Sequence, residues 1–169
     1  MVILVMLFQS FGVLAGDTKN NQIAYATFGS EGETYLIDAR MLSVAEVGEK
    51  AGKSGWMLKA AGTKTRYIYV DVKDSFMHNL CDDSVYVEVE YYDEGNNVFL
   101  IEYDSQTRKD QHSEYVDMHN TLTWKKHTFF LQDARFSNSL ENSDFRITTY
   151  SGNLGAGGNA LIGSVKVWY

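Results

Sequence analysis

Val85-Tyr-Val-Glu-Val-Glu-Tyr-Tyr-Asp-Glu-Gly-Asn-Asn-Val-Phe-Leu-Ile-Glu-Tyr103 sets two alternating runs on either side of a polar turn. Val85, Val87, Val89 and Tyr91 fall on one side of a strand, and Tyr86, Glu88, Glu90 and Tyr92 on the other. Alternation with acids on the second side marks one buried and one wet face. Asp93-Glu-Gly-Asn-Asn97 supplies residues that tolerate positive φ, so Val98–Tyr103 is expected to return as a hairpin partner. A second block, Trp124-Lys-Lys-His-Thr-Phe-Phe-Leu-Gln-Asp-Ala-Arg-Phe136, repeats the grammar with Trp at its entry, and Asp144-Phe-Arg-Ile147 opens another strand.

On the N-terminal side of this block, Ile23–Phe28 and Thr34–Ile37 are short strand candidates, and Arg66–Val72 alternates with apolar residues on both faces, as inside a sandwich. Met41–Lys50 has spacings compatible with one or two helical turns, and Gly55–Ala60 suits a strand or a loop edge. Asp104–Asn120 is a long polar loop with room for one short edge strand at Glu114–Met118. Leu161–Tyr169 sets Val165 and Val167 against Lys166 and Trp168. About eight strands at short spacing, without βαβ alternation, predict an all-β antiparallel two-sheet β-sandwich of jelly-roll type with little helix.

Composition agrees. Aromatics reach 14% of the 169 residues, eleven of them Tyr and nine Phe, and there is no Pro, so tight turns rely on Gly, Asn and Asp. The length fits one domain. A net charge of -7 without a basic stripe argues against nucleic acid as a partner. Val2–Phe8 followed by Val13-Leu-Ala15 reads as a signal peptide or truncated leader over residues 1–15, leaving 16–169 as one sandwich domain. A buried first strand or the tail of a preceding domain is the alternative for that segment. The run is too short for a membrane span. The lone Cys81 excludes an internal disulfide and is expected to be buried or inert.

Several motifs invite chemistry and are better read otherwise. Gly155-Ala-Gly-Gly-Asn-Ala160 matches a dinucleotide pattern by letters but runs straight into a terminal strand rather than a helix. The acid pairs Asp82-Asp83 and Asp93-Glu94 lie in turn-like sequence, where neighbours point apart instead of flanking one bond. His78, His112, His119 and His127 lack zinc-ligand spacing, and no GxSxG elbow exists. No catalytic residue is therefore assigned.

Sugar recognition needs flat apolar faces beside hydroxyl-binding groups. Trp56, Tyr91, Tyr92, Tyr103 and Trp124 are the aromatic candidates, each also suited to core packing. Trp56, after the loop-like Gly52–Gly55, and Tyr92, beside the Asp93 turn, are the preferred pair, with Asp93 as polar partner. Asp133 and Arg135, like Asp144 and Arg146, stand two apart, so cross-sheet ion pairs between the two sets are expected to pin the intervening loop while Phe136 and Phe145 plug the sandwich end.

The two strand-and-turn blocks, with Asp133-Ala-Arg-Phe136 and Asp144-Phe-Arg146 as the most specific marks, resemble the galactose-binding-like β-jelly-roll modules of secreted bacterial polysaccharide-degrading enzymes, over roughly Trp56 to Tyr169. The resemblance implies a secreted or cell-surface, non-catalytic carbohydrate-binding module. Its partners would be a polysaccharide or other glycan and a catalytic domain, and the chain an accessory module or a fragment of a larger enzyme. A structural or interaction sandwich without its own ligand is the alternative. No cofactor is implied beyond a structural calcium, for which Glu31, Glu33 and Asp38 are candidates.

Overall fold

The computed structural model describes residues 22–59, 66–81, 83–149 and 158–169. The leader, Asp82 and most of the glycine-rich Gly155–Gly158 run lie outside them. All regular structure in the described residues is β, in two antiparallel sheets.

The strands are β1 (Ala24–Thr27), β2 (Thr34–Tyr35), β3 (Ile37–Arg40), β4 (Val47–Lys50), β5 (Lys53–Leu58), β6 (Tyr67–Val72), β7 (Val85–Tyr92), β8 (Val98–Tyr103), β9 (Gln111–His112), β10 (Val116–Asp117), β11 (Trp124–Leu131), β12 (Phe145–Thr149) and β13 (Ala160–Trp168). One sheet runs β11-β7-β13-β1-β2, with β5 also pairing β13 and β4 pairing β5. The other runs β10-β8-β12-β6-β3, with β9 on β8. The inward rows interlock as one core: Val85, Val87, Val89 and Tyr91 from β7, Phe129 and Leu131 from β11, and Val165 and Val167 from β13 meet Ile68 and Val70, Phe99 and Ile101, and Phe145 and Ile147 of the facing sheet.

Four expectations are corrected. β7 and β8 are not a hairpin. β7 pairs with β11 and β13, whereas β8 pairs with β9, β10 and β12 in the opposite sheet. The Asp93–Asn97 turn is therefore a crossover, because β8 is buried on both faces and needs an interior place in its sheet. Met41–Lys50 contains no helix. Its second half is β4, and Ala51 and Gly52 (φ 48° and 74°) make the left-handed turn that returns the chain as β5. Cys81 is exposed, since the preceding Leu80 takes the inward place. The single short edge strand expected near Glu114–Met118 is two, β9 and β10.

Candidate functional site

The outward face of β7 carries Tyr86, Glu88, Glu90 and Tyr92, and Tyr92 stands where the strand reaches the loop end of the sandwich. Directly across the register lie Trp124 on β11 and Leu161 on β13. The Trp124 ring meets Tyr92 edge-on at 5.5 Å, and its indole N–H donates to the Lys50 carbonyl at 2.9 Å, tying the β4–β5 hairpin down beside Tyr92. Lys50 then reaches Glu94 at 2.9 Å, and its ammonium lies 6.0 Å from the Tyr92 ring centre.

These contacts leave a cleft of about 280 Å³ lined by Met57, Tyr92, Glu94, Gly95, Asn97, Asn159 and Leu161. Met57, Leu161 and Tyr92 form its apolar wall. Glu94, Asn97 and Asn159 supply acceptors and donors at the rim, and the Asn97 amide is held by donation to the Asn159 carbonyl at 2.9 Å. Gly158 permits this arrangement, since a Cβ there would lie 1.8 Å from the Asn97 amide oxygen.

Asp93 frames the cleft from within. It is wholly buried. Its carboxylate accepts from the His119 amide at 2.7 Å, from the Thr121 hydroxyl at 2.6 Å and amide at 3.3 Å, and from Lys125 at 2.6 Å. Burial opposes its charge, but Lys125, Thr121 and the two amides win and hold its carboxyl well below the usual carboxylate range. The acid so latches residues 119–125 to the end of β7, where Asn120 and Leu122 sit at positive φ and the Asn120 side chain accepts from the Gly95 amide. Asp93 thus faces away from solvent while its neighbour Glu94 is exposed.

The other aromatic candidates lie elsewhere. Trp56 stacks on Phe28 at 4.7 Å on the core side of β5, so β5 gives the cleft Met57 instead. Tyr91 and Tyr103 are buried, as is Tyr92 itself at 8% exposure, and the Tyr103 phenol, raised above its ordinary range by burial and by Asp133, donates to that carboxylate at 2.6 Å.

The expected pairing of Asp133 and Arg135 with Asp144 and Arg146 is not formed. Arg135 donates to Asn79 at 3.0 Å, and Arg146 to Glu102 at 2.5 Å while lying over the Tyr67 ring at 4.2 Å. Asp144 accepts from the amides of Val72 at 2.9 Å and Asn138 at 3.2 Å. Asp144 is thus held by backbone donors of β6 and of the loop, and Asp133 by the Tyr103 phenol, in place of a guanidinium. The loop is still pinned, with Asp104 accepting from Ser137 and with Phe136 stacked on Phe145, both fully buried. Asp38 is engaged by Lys73, and no group of three or more His, Cys, Asp or Glu gathers in metal-binding geometry among the described residues. Nor, among those residues, is any helix long and apolar enough to cross a membrane.

Sequence reasoning passed over a second feature. Phe130, Tyr86 and Trp168 fall in one register row across β11, β7 and β13, on the same outward face as Tyr92. The available signal was an aromatic in the polar phase of three alternating strands.

Comparison with family models and with curated proteins gives no match. Among solved structures, the chain is similar to the C-terminal CBM6 of LamC, a marine laminarinase from Zobellia galactanivorans, at 10% identity and a TM-score of 0.44, covering 88% of this chain and 100% of that one. It is similar to the carbohydrate-binding module CBM6cm-2 from Cellvibrio mixtus lichenase 5A, solved with cellotriose, at 15% identity and a TM-score of 0.37, over 80% and 98% of the two chains. It is also similar to a family 29 carbohydrate-binding module from Piromyces equi, at 8% identity and a TM-score of 0.43, over 86% and 90%.

Proposed function

We propose that this protein is a non-catalytic carbohydrate-binding module that takes a neutral glycan in the cleft beside Tyr92. The observation that carries the reading is the cleft itself, an apolar wall of Tyr92, Met57 and Leu161 facing the polar rim of Glu94, Asn97 and Asn159. A pyranose presents the same two surfaces, C–H groups on its faces and hydroxyls on its periphery. The volume lies at the lower edge of ligand pockets, about 300–1,000 Å³, and suits a short stretch of sugar rather than a large cofactor. Asp93 serves as a positioning residue, setting the turn that carries Glu94 and Asn97, and Trp56 supports β5 from the core side. Export and service beside a catalytic domain complete the proposal.

The test is titration of the purified chain against a panel of neutral and anionic polysaccharides, with a reducing-sugar assay alongside. Binding without product release is expected. Tyr92→Ala should weaken it by about 1–3 kcal/mol, by analogy with aromatic stacking platforms for nucleobases, roughly five- to more than hundredfold in Kd. No affinity for any neutral glycan, or turnover lost in Glu94→Ala, sinks the reading. The alternative, an interaction domain without a ligand, draws on the exposed Leu42, Val44 and Val47 near the β4 edge; a folded chain inert toward every glycan but captured by a protein partner would favour it.

A further inference from the structure

The row formed by Phe130, Tyr86 and Trp168 lies outside the hydrophobic core. Phe130 is 46% exposed on an edge strand, and Tyr86 and Trp168 are half-buried on the outer side of the sheet. The Tyr86 ring lies 5.0 Å from Phe130 and 5.7 Å from Trp168, nearly parallel to the latter at 13°. β7 connects this row to the cleft, since Tyr86 and Tyr92 point the same way from its two ends, a six-residue interval of about 20 Å. The side chains between them are charged and paired, two glutamates against three lysines. Glu88 holds Lys126 at 3.0 Å and Lys166 at 3.9 Å, and Glu90 holds Lys53 at 2.7 Å.

From this we infer that the row is a second contact surface for the ligand of the cleft, and that the ligand is a linear, neutral glycan chain lying along the outward face of β7. The inference rests on the proposed cleft function and adds the class of ligand. A chain several pyranoses long spans the interval. Its C–H faces meet the aromatics at both ends, and its hydroxyls meet the Glu88, Glu90, Lys126, Lys166 and Ser164 band between. Three lysines already paired with two glutamates leave a surplus of a single positive charge to attract a polyanion, and the whole protein carries -7, which repels one. A second copy or another protein fits less well. Three rings at these exposures offer on the order of 200 Å², against the roughly 800 Å² per partner of a stable interface, and the polar band interrupts any larger apolar patch.

Calorimetric titration of the full chain with cellohexaose, xylohexaose and laminarihexaose, with the matching disaccharides, and with a hexagalacturonate tests the idea. At least one neutral hexasaccharide should bind about tenfold or more tightly than its disaccharide. Phe130→Ala and Trp168→Ala should remove most of that advantage and leave disaccharide affinity unchanged, whereas Tyr92→Ala should weaken both. Thermal melts confirm folding, and Phe130→Ala, at an exposed edge position, keeps the test open if Trp168→Ala is unstable. Length-independent binding, or hexasaccharide affinity untouched by Phe130→Ala, overturns the inference while a Tyr92 effect leaves the cleft reading standing. Binding to none of the neutral sugars overturns both. Preference for the hexagalacturonate overturns the neutral class, and self-association abolished by Phe130→Ala overturns the glycan as occupant of the row.

Discussion

Asp93 and Asp144 are both fully buried carboxyls, and they bias stability in opposite directions. Asp93 is held below the ordinary carboxylate range by Lys125, Thr121 and two amides against the cost of burial, so its folded state binds a proton less readily than the unfolded chain. Its contribution is present above about pH 4, the unfolded value, and is lost as pH falls toward the folded one. Asp144 is the reverse. Burial, aided by Asp71 and Asp104, pushes it up to about 7 despite the Val72 and Asn138 amides. Its folded state holds the proton, so its contribution is complete below about pH 4 and disappears as pH rises to 7. The melting temperature should therefore decline across that window, and Asp144→Asn should flatten the decline while lowering stability by about 1–3 kcal/mol, because one backbone donor loses its acceptor. Asp93→Asn should leave that window unchanged and flatten the acid limb instead. A pH series of thermal melts on the three proteins reads both effects, and identical slopes in wild type and Asp144→Asn would refute the assignment. Neither behaviour is visible in the sequence, where Asp93 reads as a turn acid and Asp144 as one partner of a cross-sheet ion pair.

Among the elements, β13 shapes the cleft through a residue that never touches it. The register between β13 and β7 shifts between Ile162 and Ser164, leaving Gly163 beneath the Trp124 ring. A Cβ at Gly163 would lie 2.7 Å from that ring and 3.3 Å from Glu90. Gly163→Ala is thus expected to lift Trp124, break its hydrogen bond to Lys50 and cost about 1–3 kcal/mol, as overpacking does. Urea unfolding gives the cost, and titration against the best-binding glycan should show weaker binding; unchanged stability and affinity would mean that Trp124 does not hold the cleft. Within single strands the sequence was informative. Alternation placed Val85–Tyr91 inward and Tyr86–Tyr92 outward as found, and set Lys166 and Trp168 against Val165 and Val167. Partnership between strands was not legible. A polar turn such as Asp93–Asn97 serves a hairpin and a crossover equally well, and only the burial of both faces of β8 separates them. For the same reason Trp56, which looks like a loop aromatic, faces Phe28, and Phe130, Tyr86 and Trp168 meet only through pairings remote in sequence.

For the whole molecule, the two-sheet sandwich was readable from composition and period, while the number of strands and their order were not, because order is fixed by which sheet each crossover enters. β13 is the strand on which this order depends. It pairs with β7 along one side and with β1 and β5 along the other. Removal of residues 160–169 should leave no cooperative unfolding transition by calorimetry, since the sheet loses its middle and the core loses Ile162, Val165 and Val167 together; a retained sharp transition would show that the facing sheet folds without it. The exposed Cys81 has a separate consequence at this scale. It lies shortly before β7 begins, at the pole of the sandwich opposite the cleft and on the side of Tyr86. As the sole thiol of the chain it accepts a maleimide dye or a surface tether at one defined point. Immobilised there, the molecule turns its cleft away from the support, and a dye at that pole reports on occupants of the aromatic row while remaining remote from anything held only beside Tyr92.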